Sequence, residues 1–284
     1  MGKLGSMTHQ VEQALTAQLR VGQSRHAAKE DEHTYSPQGI FSYGTLKTYL
    51  REGCRFASWT KQEHHCNTLD KARPYVEEYL QRGIDRGLSA ATLSTQRAAI
   101  CKIYGITAND LHITLPERRR ADITRSRNQV ARDKGFSVVH NQDIVDFARA
   151  TGLRRHELAA VKPSNITVRD DGTVVLTDIT GKGGKRRDVE VLPSLAGAVL
   201  RFADIPKDRR IFSRVPSHMD VHSYRREYAD AMYRVALERM GPSGQVYRCR
   251  LDKRGKTYDR RAMRYVSNQL GHNRISVIAG HYLT

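Results

Sequence analysis

Cysteine is scarce in this 284-residue chain: Cys54, Cys66, Cys101 and Cys249 are the whole complement, and no two form a C-x-x-C pair. That excludes a disulfide framework and suggests a reducing, cytosolic setting. Cys54 and the run His64-His65-Cys66 share a neighbourhood, but their spacing suits a structural zinc site poorly and there is no matching second pair, so no metal is expected. No apolar run approaches the length of about 18 residues that a membrane span needs. The N-terminus has no basic stretch followed by an apolar one, so no secretory signal is expected. The first residues, Met1 to Met7, read as a cloning remnant without structural meaning. There is no internal repeat and no low-complexity tract. Acidic residues are the most telling shortage: 30 Asp and Glu stand against 48 Lys and Arg, giving net +18 and a pI near 10.0. A surplus of that size points to a polyanionic partner, namely DNA, RNA or an anionic surface.

What is present fits a folded, two-domain protein. Apolar residues make up 39% of the chain, enough for genuine cores. The charge is uneven: residues 1–115 carry net +3, residues 116–134 net +4 and residues 135–284 net +11. Helical periodicity predicts four helices in the first part, over 9–30, 43–64, 69–86 and from a Ser89 or Thr92 cap to Gly105, making a small bundle. Residues 116–134, with Arg118, Arg119, Arg120, Arg125 and Arg127, are poor in apolar residues and read as an exposed basic linker suited to a phosphate backbone. The last part mixes elements. A helix over 141–151 ends at Gly152, and strands are expected at 166–168, 173–179 and 188–192. Helices follow near 195–202, 222–238 and 261–270. The fold class expected is mostly α with a small β-sheet. Residues 241–260 form a basic insertion that suits a hairpin.

Four segments carry chemistry-bearing residues. They are Thr151-Gly152-Leu153-Arg154-Arg155-His156-Glu157-Leu158, Thr180-Gly181-Lys182-Gly183-Gly184-Lys185, His222-Ser223-Tyr224-Arg225, and Leu270-Gly271-His272 followed by Tyr282. Each alone is a weak signal. In this order, in a basic chain, they resemble the tyrosine recombinase (phage integrase) family. The resemblance is residue for residue at the motifs of 135–284 and only architectural in 1–115.

The resemblance implies a helical core-binding domain over 1–115, a linker over 116–134 and a mixed α+β catalytic domain over 135–284. It implies a tyrosine hydroxyl attacking a DNA phosphodiester, a 3′-phosphotyrosyl intermediate, a freed 5′-hydroxyl and no cofactor. Arg154 and Arg225 match the two family arginines, whose forked guanidiniums suit phosphate oxygens. Lys182 matches the hairpin lysine that protonates the leaving oxygen, with Lys185 its neighbour and a candidate DNA contact. His222 and His272 match the two histidines; the second is expected to donate to a phosphate oxygen. Glu157 matches an acidic position that orients a catalytic cation. Arg155 and Arg226 are read as DNA-backbone contacts or solvated residues. Tyr282 is the expected nucleophile, ten residues after His272 where nine is commoner in the family. Tyr224, Tyr228 and Tyr265 fall within helices and suit core packing better.

The implied partner is a double-stranded recombination site, engaged by a homotetramer on two duplexes, with a cytoplasmic, nucleoid-associated location and no membrane contact. The sequence stops two residues after Tyr282, too short a tail for a docking helix, so a monomer is expected without DNA. Two rival readings share these residues in part: a type IB topoisomerase, and a non-catalytic DNA-binding regulator on the same fold.

Overall fold

A computed structural model describes residues 5–34, 36–119, 122, 135–181, 184–250, 253–272 and 274–283. The chain divides into two compact units, Met1–Asp122 and Ile123–Thr284.

Among the described residues the first unit is helical, with α1 (Met7–Thr16), α2 (Arg25–Asp31), α3 (Tyr43–Glu63), α4 (Leu69–Ala72), α5 (Val76–Asp85) and α6 (Ala90–Tyr104). Local chemistry sets the ends. The Ser42 and Ser89 hydroxyls each accept a backbone N–H three residues on, at 3.2 Å, which satisfies donors that a helix start leaves open. Gly105 closes α6 in the left-handed region at φ 63°. Two expected helices are broken. The one over 9–30 stops at Thr16, after which Leu19 bridges to Ile40, and a second helix begins only past Gly22, at φ 90°, where Ser24 caps α2. The one over 69–86 is interrupted by a 3₁₀ turn at Arg73–Tyr75, because Pro74 lacks the N–H that a continuous α-helix needs. Met7 belongs to the fold rather than to a remnant: it opens α1 and is buried against the bundle with Val11 and Leu15. Phe56, Trp59, Tyr79 and Tyr104 form the aromatic centre of this core, with Phe56 edge-on to Tyr79 at 5.3 Å.

The second unit holds α7 (Gln142–Thr151), α8 (Arg155–Leu158), α9 (Ala196–Leu200), α10 (Val221–Met240), α11 (Arg260–Gln269) and α12 (Ile275–His281). It also holds an antiparallel sheet of β1 (Ile166–Val168), β2 (Val174–Thr180) and β3 (Arg186–Glu190) in the order β1-β2-β3. The third strand lies two residues earlier than the sequence suggests. The Gly181 N–H closes on the Lys185 carbonyl at 2.7 Å, so pairing begins at Thr180 with Arg186, and the Leu192 N–H turns away to Ala150. The basic insertion forms a second, two-stranded sheet, β4 (Val246–Arg248) with β5 (Thr257–Asp259). α7, α10 and α11 pack around a core that includes Phe147, Leu153, Tyr224, Tyr228 and Met263. Among the described residues no helix is long and apolar enough to cross a membrane.

Candidate active site

The site is assembled at three chain turns of the second unit. The first is the end of α7. Gly152 takes φ 59° there, which reverses the chain and frees its carbonyl, and a Cβ at this position would collide with the Tyr228 ring. The chain then buries Leu153 and delivers Arg154 to the start of α8. Glu157, three residues on, folds back so that its Oε2 accepts the Arg154 backbone N–H at 2.8 Å, while Oε1 accepts from Arg154 Nη1 at 2.9 Å.

The second turn is the end of α11. Gly271, at φ 61°, donates its N–H to the Asn268 carbonyl, and His272 donates its N–H to Ser267, at 2.9 and 2.8 Å. This Schellman arrangement satisfies two of the helix's terminal carbonyls and leaves those of Gln269 and Leu270. Arginines fill both. Arg187 Nε donates to Gln269 O at 2.8 Å, Arg154 Nη2 donates to Leu270 O at 3.1 Å, and Arg225 Nη2 donates to the same Leu270 oxygen. The negative end of the α11 dipole and the buried Glu157 carboxylate thus gather three guanidiniums that would otherwise repel one another.

The third is α12, which ends by placing Tyr282 against Arg225. Arg225 is almost fully buried, and its Nη1 donates to Gly152 O. Its Nε donates to the Tyr282 hydroxyl at 3.3 Å, and its Cζ lies 5.7 Å from the centre of the Tyr282 ring. His272 Nε2 lies 3.2 Å from the same hydroxyl and 3.5 Å from Arg225 Nη2. A guanidinium only donates. The Tyr282 oxygen therefore accepts from Arg225; Arg225 Nη2 can likewise only donate to His272 Nε2, and with that nitrogen an acceptor the Tyr282 hydrogen points to it. That requires a neutral imidazole with its proton on Nδ1.

Electrostatics favour that form. Burial, then the charges of Arg225, Arg154 and Arg187, push His272 down to about 4. Burial and the charge of Arg225 lower His222 as well; it stands one turn before Arg225 on α10, with Arg154 and Arg155 also contributing. For Glu157, burial works upward but is outweighed by hydrogen bonds from Arg187 and the Arg154 backbone and by the Arg187 and Arg225 charges, which hold it at about 2.

Of the residues singled out in the sequence, Arg154, Glu157, Arg225, His272 and Tyr282 thus meet in one hydrogen-bonded cluster, with His222 at its edge. Arg118 and Arg119 are exposed, and so is Lys185 at the β2–β3 turn. Lys182, Arg120, Arg125 and Arg127 lie outside the described residues. Arg155 is not free in solvent: it donates to the carbonyls of Pro216 at 2.5 Å, Ser217 at 3.3 Å and Met219, pinning the segment that leads into α10. Tyr224 and Tyr228 are fully buried in the core. Among the described residues no cluster of His, Cys, Asp and Glu is arranged for a metal ion.

Two sets of residues escape the sequence reading. Arg187 is one, joining both carboxylate oxygens of Glu157 at 2.9 Å. The second lies in the helical unit, where Arg51 and Arg55 on α3, Arg82 on α5 and Arg86 at the C-terminal cap of α5 border a groove of about 700 Å³. Its floor includes Trp59, with the Arg82 guanidinium 5.8 Å from the indole, and Gln96. The buried Glu52 carboxylate holds Arg51 and Arg55 in place at 2.9 and 3.1 Å.

The chain has the tyrosine recombinase fold, a helical N-terminal domain followed by a mixed α+β domain that carries this cluster. Among solved structures, the XerH site-specific recombinase bound to a palindromic difH substrate, a post-cleavage complex, is 15% identical; the match covers 100% of this chain and 94% of that one with a TM-score of 0.55. The XerH pre-cleavage complex with difH is 14% identical over 99% and 95% of the two chains, at 0.50. A Tn1549 transposon integrase in complex with a circular-intermediate DNA is 12% identical over 99% and 96%, also at 0.50. No family model and no curated protein matches the chain in sequence.

Proposed function

We propose that this protein is a site-specific DNA recombinase of the tyrosine type, which cuts and rejoins DNA through a 3′-phosphotyrosyl intermediate. The observation that carries the reading is the Tyr282 hydroxyl, held at once by a guanidinium donor, Arg225, and an imidazole acceptor, His272. A free phenol ionises near pH 10, so a tyrosine nucleophile needs both a proton acceptor and nearby positive charge.

In the reaction we infer, Tyr282 Oη attacks the scissile phosphorus and passes its proton to His272 Nε2. The imidazolium so formed donates to a phosphate oxygen. Arg154 and Arg225 offset the charge that grows on the non-bridging oxygens. The bond from phosphorus to the 5′-oxygen breaks, and that oxygen takes a proton from Lys182. The ester energy stays in the phosphotyrosyl bond, and the reverse sequence with a new 5′-hydroxyl completes strand exchange. Tyr282 lies over Arg225, so its side chain must swing aside for a phosphate to reach that guanidinium.

The domain roles follow. Residues 1–115 form a core-binding clamp with the Arg51, Arg55, Arg82 and Arg86 groove toward phosphates, 116–134 is the basic linker, and 135–284 is the catalytic domain. The working assembly is a homotetramer on two duplexes, formed at the nucleoid from monomers.

The test is covalent trapping. Nicked duplexes tiled across the DNA flanking the gene are incubated with the protein and resolved under denaturing conditions. At least one should give a protein–DNA adduct, and Tyr282→Phe should bind that duplex nearly as well while giving none. An adduct that persists in Tyr282→Phe moves the nucleophile elsewhere. Relaxation of supercoils without any site preference would favour a topoisomerase.

A further inference from the structure

We propose that Arg187 is a positioning residue for strand cleavage: its guanidinium fixes Glu157 and, through Glu157, the aim of Arg154. This rests on the recombinase reading above.

The geometry is a chain of forks. Arg187 on β3 spends Nη1 and Nη2 on the two oxygens of Glu157, both at 2.9 Å, and Nε on Gln269 O at 2.8 Å. Its side chain is 11% exposed and that of Glu157 is not exposed at all, so solvent does little to screen the pair. Glu157, held from that side, offers Arg154 one oxygen for its side chain and one for its backbone. Arg154 then reaches Leu270 O with Nη2, the carbonyl next to the one that Arg187 occupies. Arg154 is the more exposed of the two arginines, with 19% of its side chain open to an incoming phosphate. Without Arg187, the carboxylate is free to rotate onto Arg154 as a symmetric fork, drawing that guanidinium off its anchor on Leu270.

Two motif glycines support the assignment. A Cβ on Gly271 would come within 3.1 Å of Arg187 Cδ, and one on Gly181 within 3.0 Å of Arg187 Nη1 and 3.3 Å of the Lys185 carbonyl oxygen. Gly271 is also required by its positive φ, but no positive φ accounts for Gly181. The glycine before the hairpin lysine leaves room for the Arg187 guanidinium beside the hairpin backbone. A lysine at 187 could not span both carboxylate oxygens, since its ammonium is a point charge on a flexible stem.

The experiment measures single-turnover cleavage on whichever nicked duplex gives the wild-type adduct, with protein in excess. Arg187→Lys should cleave about 100-fold more slowly, the scale expected for a misplaced catalytic group. Its affinity for the same duplex should stay within about threefold, because Arg187 faces Glu157 rather than DNA. A bridging 5′-phosphorothiolate, whose sulfur leaves without a proton, should not restore the rate. Arg187→Met should cost less than about fivefold when Glu157→Gln is already present, because the link it acts through is gone. That double variant removes both charges of the pair and keeps the cycle readable if Arg187→Met alone does not fold.

Three results would each overturn the proposal: wild-type cleavage by folded Arg187→Lys, recovery on the sulfur substrate (which would tie Arg187 to the leaving-group acid), or an undiminished cost in the Glu157→Gln background. Failure of the wild-type protein to form an adduct on any duplex would instead sink the recombinase reading.

Discussion

Arg225 and Tyr282 occupy one another: the Arg225 Nε–H donates to the Tyr282 hydroxyl at 3.3 Å, and the tyrosine ring lies over an arginine that is only 1% exposed. Such an arginine has a structural duty as well as a chemical one. Its two other nitrogens hold the carbonyls of Gly152 and Leu270.

Stability should therefore separate the two arginines. Arg225→Ala strips the buried Gly152 carbonyl of its arginine, at a cost of about 1–3 kcal/mol, and leaves the Leu270 carbonyl to Arg154 alone. Arg154→Ala leaves Leu270 O still bonded to Arg225 and vacates a partly exposed position. In urea unfolding, Arg225→Ala should be the less stable of the two by about 2 kcal/mol. The reverse order would mean that the Gly152 carbonyl finds another partner.

Acid should weaken the fold in two stages. His272 is held at about 4, below the ordinary 6.5, so the unfolded chain binds more protons than the folded one between those values. Stability is then full above pH 6.5 and declines as pH falls toward 4. Glu157, at about 2 against an ordinary 4.5, adds a second decline below pH 4.5. The thermal midpoint followed from pH 7 to 4 should drop less in His272→Gln than in the wild type. Equal slopes would remove His272 from the first stage.

Lys182 should show the behaviour that Arg187 does not. Lys182→Ala is expected to cleave ordinary DNA slowly and to recover on a bridging 5′-phosphorothiolate. Without recovery the acid lies elsewhere, and Lys185 is the first alternative to substitute.

Binding to duplex DNA should fall steeply with salt. Replacing Arg51, Arg55, Arg82 and Arg86 by Gln should flatten the plot of log K against log[salt] by roughly 0.9 for each phosphate no longer neutralised. Replacing Arg118, Arg119 and Arg120 should do the same for the linker. If only the linker set changes the slope, the helical groove does not face phosphates.

How legible these features were follows their range along the chain. Helix starts at Ser42 and Ser89 and stops at Gly105 and Gly152 are written within a few residues, and they lie where the sequence places them. The motif residues could be named because each sits in a short recognisable string. Arg187 escaped because it stands in the doublet Arg186-Arg187, which reads as solvated charge. The missed signal is the strand period: Arg187 pairs with the buried Ile179 and lies two residues before the buried Val189, on the inward side of β3. Starting the third strand at Asp188 hid that alternation. The four groove arginines show i,i+4 spacing on two separate helices, and only the packing of α3, α5 and α6 makes one groove of them.

The shared acceptor at Leu270 bears on how this chain can change over time. Arg154 and Arg225 are tied to one oxygen at the end of α11, and Arg225 is tied again at Gly152. All of these ties lie upstream of the segment between His272 and Tyr282. Insertions and deletions after His272 leave the cationic pair where it is and alter only the arc on which Tyr282 is delivered. One lengthened or shortened before Leu270 would displace both cations together. The ten-residue interval here falls on the tolerant side of that boundary.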